Sequence, residues 1–189
     1  MECSTLTEQA RYWASTQPDK IWMRDLHESG ADEYTWGEAV AEIDHVASWL
    51  EAQFGEGQRM ALLSKNRAHW IMADMAVIHS GNVTVPLFTT HATATAEYIL
   101  DFTDTKLLFL GQTENWEGVK SVLPANCVLV TLPGVECELP HKTWAELVAA
   151  APADAPTYGP DGDDNVSLVF TSGTTGLPKG VIQTHATNL

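Results

Sequence analysis

Apolar residues fall along this chain in two alternating rhythms, one of helical period and one of short continuous runs, and their order predicts the elements. Thr5-Leu6-Thr7-Glu8 has the spacing of a capping box, in which a threonine hydroxyl and a glutamate carboxylate satisfy each other's free backbone donors. A helix therefore starts there, and Pro18 ends it. The same spacing returns at Thr35-Trp36-Gly37-Glu38, followed by Val40, Ile43, Ala47, Leu50 and Phe54 on one helical face until Gly55 and Gly57 stop the turn. Ile21 to Tyr34 reads as a hairpin around Gly30. Met60 to Ser64 is a continuous apolar run, the pattern of a strand buried on both faces. Asn66 is the expected cap of the next helix, His69 to His79, which carries apolar residues on two faces and stops at Gly81. A strand at Val83 to Leu87, a helix at Ala94 to Phe102 and a strand at Leu107 to Leu110 follow. A short helix around Val119 and Leu123 and a strand at Val128 to Val130 come next. Thr143-Trp144-Ala145-Glu146 opens a last helix that ends near Ala151.

Strands that alternate with helices predict an α/β fold with a mostly parallel sheet and helices on both faces, because parallel neighbours need a crossover. Pro152, Pro156 and Pro160 then punctuate the chain. The expected organisation is an α/β unit over residues 1–151, a linker over 152–165, and a strand plus loop over 166–189 that opens a further part. In such sheets ligands bind beyond the carboxyl ends of strands, so the loop after the late strand is where chemistry is expected.

Composition narrows the function classes. The 189 residues are 44% hydrophobic, enough for a packed core, and no fixed-period repeat is present. Ten Lys and Arg against 25 Asp and Glu give a formal charge of -15, which excludes an extended nucleic-acid surface and disfavours an anionic membrane. Cys3, Cys127 and Cys137 form an odd set without a C-x-x-C pair, so a reducing compartment is expected and a structural metal site is not. No apolar stretch has the length of a membrane span, and Met1-Glu2-Cys3-Ser4 lacks the start of a secretory signal; the expectation is a cytoplasmic protein.

Val166 to Phe170 is an apolar strand, and behind it runs Thr171-Ser172-Gly173-Thr174-Thr175-Gly176-Leu177-Pro178-Lys179-Gly180. Three glycines allow backbone N–H groups to turn toward an anion, four hydroxyls add donors or a hard oxygen ligand, and Lys179 adds a positive charge. Together these suit a polyphosphate with Mg²⁺. The spacing is not that of the Walker loop, since Lys179 follows Gly176 by three positions and Gly180 stands where a metal-binding hydroxyl belongs. A simple turn between two strands is the competing reading.

The string FTSGTTGLPKGV resembles the signature loop of the AMP-forming adenylating superfamily, which holds acyl-CoA synthetases, peptide-synthetase adenylation domains and beetle luciferases. Thr184-His185 is similar to the Thr-His that follows that loop, with Asn188 one residue later than the commonest spacing. The resemblance runs back over nearly the whole chain, and SKNRAHWIMADMAVIHSGNVTVPLF is most similar to the long-chain fatty acyl-CoA synthetase branch, although Thr89 stands where that branch often has proline. The resemblance implies the N-terminal portion of an acyl-CoA-synthetase-like large domain. It further implies a ligase of lipid metabolism that adenylates a fatty acid with ATP and Mg²⁺, releases pyrophosphate, and passes the acyl group to coenzyme A.

By the same resemblance Thr171, Ser172, Gly173, Thr174, Thr175, Gly176 and Lys179 hold the β- and γ-phosphates, and Thr171 is the Mg²⁺ ligand. That loop is expected to order only with nucleotide. The family's adenine, ribose, acyl-chain and catalytic residues fall beyond Leu189, so the 189 residues alone are expected not to complete adenylation. Two alternatives stay open: a nucleotide-binding or partner-binding fragment without turnover, and a ligase or adenylation domain for a short-chain, aryl or amino acid. His79 and His91 read as caps or satisfied surface groups, and the tryptophans as core packing. Glu28, Asp32 and Glu33 read as a solvated turn, and His185 stays open between a structural and a nucleotide-proximal role.

Overall fold

In the computed structural model the described residues are 3–150, 156–171 and 177–189. The elements in chain order are α1 (Leu6–Thr16), β1 (Ile21–His27), β2 (Gly30–Thr35), α2 (Trp36–Phe54), β3 (Arg59–Leu63), α3 (Ala68–His79), β4 (Val83–Leu87), α4 (Thr93–Phe102), β5 (Leu107–Leu110), α5 (Trp116–Lys120), β6 (Val128–Thr131), β7 (Lys142–Thr143), α6 (Trp144–Ala150), β8 (Asn165–Thr171) and β9 (Lys179–Thr184). β1 and β2 form a separate antiparallel hairpin. The other seven strands make one sheet in the order β7-β6-β5-β3-β4-β8-β9. Every pair in it is parallel except β8 with β9.

The apolar runs build two cores, one on each side of the sheet, because successive strand residues point to opposite faces. Met60 and Leu62 of β3 join α2, α3 and α6 on one side, while Ala61 and Leu63 join α4 and α5 on the other. Parallel strands covered in this way read as unbroken hydrophobic runs. Tryptophans do serve packing: Trp22 and Trp36 stack at 4.1 Å, and buried Trp144 donates its indole N–H to Glu42 Oε2 at 2.8 Å.

The capping boxes set the helix starts to different degrees. At α2 both halves are formed, Glu38 N–H to Thr35 Oγ1 and Thr35 N–H to Glu38 Oε2. At α6 Thr143 and Glu146 exchange the same two bonds. At α1 Thr5 Oγ1 accepts from Glu8 N–H, but the Glu8 carboxylate reaches one residue further back and accepts the Ser4 N–H at 2.8 Å.

Asn66 is not the cap of α3. Arg67 holds that position without a side-chain bond, and the free Ala68 N–H donates instead to Asp25 Oδ1 of β1 at 2.6 Å. The hairpin brings a carboxylate over the helix start, and a remote acid replaces a local one. His79 likewise is no surface cap: its ring is fully buried, with Nδ1 2.8 Å from Asp44 Oδ1, which also accepts from Arg11 at 3.1 Å. These contacts join α1, α2 and α3. In the stretch after α6, Pro156 is buried and the Thr157 N–H donates to Glu51 Oε2 of α2 at 2.9 Å. Gly81 leaves room for the Tyr158 ring, which a Cβ there would approach to 2.8 Å.

Candidate phosphate-binding edge

β8 and β9 form the hairpin that presents the hydroxyl-rich loop. Their register runs from Asn165 opposite Thr184 to Thr171 opposite Lys179, so Thr171 and Lys179 face each other across the last rung. Directly opposed residues in an antiparallel pair share one face, which puts the Thr171 hydroxyl and the Lys179 side chain on the same side of the sheet. It is the α3 side, since Ser167, in step with Thr171, pairs with Thr84, whose neighbours Val85 and Leu87 lie in the core of the opposite face. Both residues are exposed. Ser172, Gly173, Thr174, Thr175 and Gly176, and the expectation that they order only with nucleotide, lie outside the described residues.

Because β8 runs parallel to β4, this loop leaves the sheet at the carboxyl edge of the parallel strands. Cavities open along that edge among the described residues. One of about 330 Å³ lies beyond β3 and β4, lined by Ser64, Asn66, Trp70, Pro86 and Phe88. Another of about 370 Å³ lies beyond β5 and β6, lined by Gln112, Glu114, Trp116 and Val135, with Lys65 reaching it from the end of β3, the strand beside β5 at which the strand order reverses. Gly111 permits the close approach there, since a Cβ on it would sit 2.0 Å from Ser64 Oγ.

Gly180 has a packing role beside the loop. It lies in β9 opposite Phe170, and a Cβ on it would meet Leu168 Cδ1 at 2.8 Å and Phe170 Cζ at 3.3 Å. Its missing side chain makes room for buried Phe170 and half-buried Leu168.

Arg11, Arg24, Lys65, Lys106 and Lys120 each pair with a carboxylate, whereas Lys179, like Lys20 and Lys142, has no ion pair among the described residues, and of these three it is Lys179 that adjoins the hydroxyl-rich loop. An unpaired ammonium on a chain of charge -15 is available to an external anion. Among the described residues no three His, Cys, Asp or Glu side chains are grouped to hold a metal ion. An exposed threonine hydroxyl beside bound phosphate suits Mg²⁺, which takes a few protein oxygens and completes its shell with phosphate and water.

His185 takes a structural place that spacing did not reveal. It is 1% exposed, and its Nδ1 accepts the Leu6 N–H of α1 at 3.1 Å. Burial lowers its pKa, and the Asp164 carboxylate acts in the opposite direction. The three cysteines are free, and burial pushes the Cys127 thiol up to about 12. Among the described residues no helix is long and apolar enough to cross a membrane.

A mostly parallel sheet with a hydroxyl-rich sequence following a strand at its carboxyl edge has the layout in which α/β proteins bind nucleotides. The family model described as AMP-binding enzyme matches residues 10–189, and the chain belongs to that family. It is 32% identical over 153 residues to a long-chain-fatty-acid–CoA ligase, FadD13, of Mycobacterium tuberculosis, covering 80% of this chain and 29% of that protein. It is 30% identical over 191 residues to a medium-chain fatty-acid–CoA ligase of Escherichia coli, covering 93% of this chain and 32% of that one. The solved structure of the anthranilate CoA ligase AuaEII with anthranoyl-AMP shares the fold, with a TM-score of 0.81 and 21% identity over 96% of this chain and 35% of that one. The chain thus spans about a third of the length of these proteins.

Proposed function

We propose that these residues form the phosphate-gripping N-terminal part of an ATP-dependent acid–CoA ligase whose acid is a long-chain fatty acid. The observation that carries the reading is the rung between Thr171 and Lys179, which closes a loop of hydroxyls and glycines at the carboxyl edge of the sheet and sets an unpaired ammonium beside a threonine hydroxyl. The named CoA ligases among its relatives support the reaction class, and the long-chain relative supports the acid.

On this reading Lys179, Thr171, Ser172, Thr174 and Thr175, with the backbone of Gly173 and Gly176, hold the β- and γ-phosphates of ATP. Their work is to bind and orient the polyphosphate and to stabilise charge on the departing pyrophosphate. Mg²⁺, with Thr171 as its protein ligand, supplies charge neutralisation when bound. Coenzyme A is the thiol acceptor in the second half of the reaction. Residues 1–151 form one unit, 152–165 its connection, and 166–189 the start of the next part. Residues 1–189 alone bind Mg-ATP without completing adenylation.

Titration of the purified chain with Mg-ATP tests this. Binding is expected, with Lys179→Ala weakening it by about 1.5–3 kcal/mol, the range of a hydrogen bond to a charged group. No fatty-acid-dependent ATP–pyrophosphate exchange is expected from the same sample. Equal Mg-ATP affinity in Lys179→Ala would remove the role given to that side chain, and exchange activity would overturn the assignment of the chain as a part.

A further inference from the structure

The hairpin of β8 and β9 closes one side of the sheet: β8 lies along β4 and buries Val166 and Phe170 in the two cores, whereas β9 is an edge strand with Val181 50% and Ile182 61% exposed. Its phosphate-side end is the rung of Thr171 and Lys179. Its other end, the foot, is fastened by several bonds. The His185 N–H donates to Asp164 O at 3.2 Å and the Ala186 N–H to Gly162 O at 2.9 Å, tying the end of β9 to the turn before β8. The Asp164 carboxylate accepts from the Tyr158 hydroxyl and the Asp161 N–H. One bond alone among these joins the foot to a helix: the Leu6 N–H of α1 donates to His185 Nδ1.

We infer that His185 is a positioning residue for the phosphate loop, clamping the foot of its hairpin to the first turn of α1 through an unprotonated Nδ1. The inference rests on the phosphate reading of the loop. Leu6 is the first residue of α1, so its N–H has no partner within the helix, and a buried imidazole fills that need. The bond also fixes the tautomer, because Nδ1 accepts only when the neutral ring carries its proton on Nε2. The strand from Asn165 to Thr171 is roughly 20 Å long, so a tilt of about 5° at the foot carries the loop end through roughly 2 Å. A displacement of about 1 Å at groups that orient a reacting phosphate costs about a hundredfold in rate.

Three variants separate this role from general packing. His185→Asn keeps an acceptor near the Nδ1 position, whereas His185→Gln moves it toward the Nε2 position. Leu6→Pro removes the donor at a helix position that accepts proline, after a Thr5 whose φ of -137° and ψ of 155° suit a residue before proline. Two quantities are read on the whole chain: amide exchange of β8 and β9 relative to that of α2, and affinity for Mg-ATP. His185→Gln and Leu6→Pro are expected to raise the exchange ratio and weaken Mg-ATP binding by about tenfold each, while His185→Asn stays within about twofold. Val119→Ala, a buried truncation in remote α5, is expected to lower overall stability and leave both quantities unchanged. Indistinguishable Asn and Gln variants would overturn the clamp, as would a loosened hairpin that binds Mg-ATP as tightly as before. If the unaltered chain fails to bind Mg-ATP, the phosphate reading falls, and the exchange ratios alone then decide whether His185 holds the hairpin.

Discussion

Asp74 offers a test of how the apolar face of α3 tolerates a carboxylate. Its Oδ1 is sealed from solvent with no hydrogen-bond partner, and the Thr84 Oγ1 of β4 is buried without a partner as well. Burial raises the pKa of Asp74 from 3.8 to about 6, and the Thr84 hydroxyl opposes the rise. A carboxyl whose folded pKa lies above its unfolded value favours the folded state while it is protonated. That contribution is complete below about pH 4 and is lost as the pH rises through about 6. Taken at full value the shift is worth about 3 kcal/mol, and because the side chain as a whole is only half-buried, about 1–2 kcal/mol is the expected size. Asp74→Asn removes the ionisation, keeps the shape, and adds an N–H donor for the Thr84 oxygen. Urea unfolding at pH 4.5 and pH 8 should show little difference between the two proteins in acid and a gain of about 1–2 kcal/mol for the variant in base. The same difference at both pH values, or a variant less stable at pH 8, would refute the reasoning.

Other consequences follow from particular contacts. Asp25→Ala leaves the Ala68 N–H without its acceptor and removes the carboxylate 3.9 Å from Arg67 Nε; a loss of about 1–2 kcal/mol in urea unfolding is expected, with faster amide exchange in the first turn of α3. Gly111→Ala forces a Cβ against Ser64 Oγ at the reversal of strand order and should destabilise by about 1–3 kcal/mol, which a companion Ser64→Gly should partly restore. Burial lowers the pKa of His79, His91 and His185, and lowers that of His69 to about 4, with nearby Arg67 adding to the fall. Groups held neutral by the fold contribute stability that is complete above about pH 6.5 and is lost as the pH falls toward their folded values. In Asp74→Asn, where the opposing carboxyl is gone, the thermal midpoint should therefore decline between pH 6.5 and pH 4, and a flat profile there would contradict the burial of these rings.

What could be read from the chain depended on whether its cause was local. The cap at Thr35 and Glu38, the stop at Gly55 and the run from Met60 to Leu63 are settled within one turn or one strand, and the structure follows them. The α/β alternation also carried the parallel sheet and the position of the loop at its carboxyl edge. Asp25 over the start of α3 and His185 under the start of α1 bridge 43 and 179 residues, and no pattern of spacing encodes such partners. The packing role of Gly180 was hidden for a related reason. Glycine next to such a loop suggests backbone turning, and the cross-strand register adds that its vacant side-chain position is filled by Leu168 and Phe170.

The charge of the whole chain and the chemistry of its loop answer different questions. A formal charge of -15 excludes a surface that tracks a nucleic acid, because such binding needs many cations spread over a long footprint. A single polyphosphate needs only one loop. At physiological salt the Debye length is about 8 Å, so exposed carboxylates further away act weakly on the site, while donors in contact act fully. What matters at the carboxyl edge is then whether the nearby cation is already taken. Lys65 is held by Glu114 and Lys120 by Glu117 and Glu138, so neither can offer its full charge to a ligand. Lys179, like Lys20 and Lys142, has no such partner among the described residues, and at the loop its cross-strand neighbour is a threonine and not an acid. Introducing an acid at that rung, Thr171→Asp, should engage Lys179 in a cross-strand ion pair worth up to about 1 kcal/mol while adding repulsion toward phosphate. Mg-ATP affinity is expected to fall with stability nearly unchanged, and a variant that binds as well as the parent would show that the free ammonium is not what the loop uses.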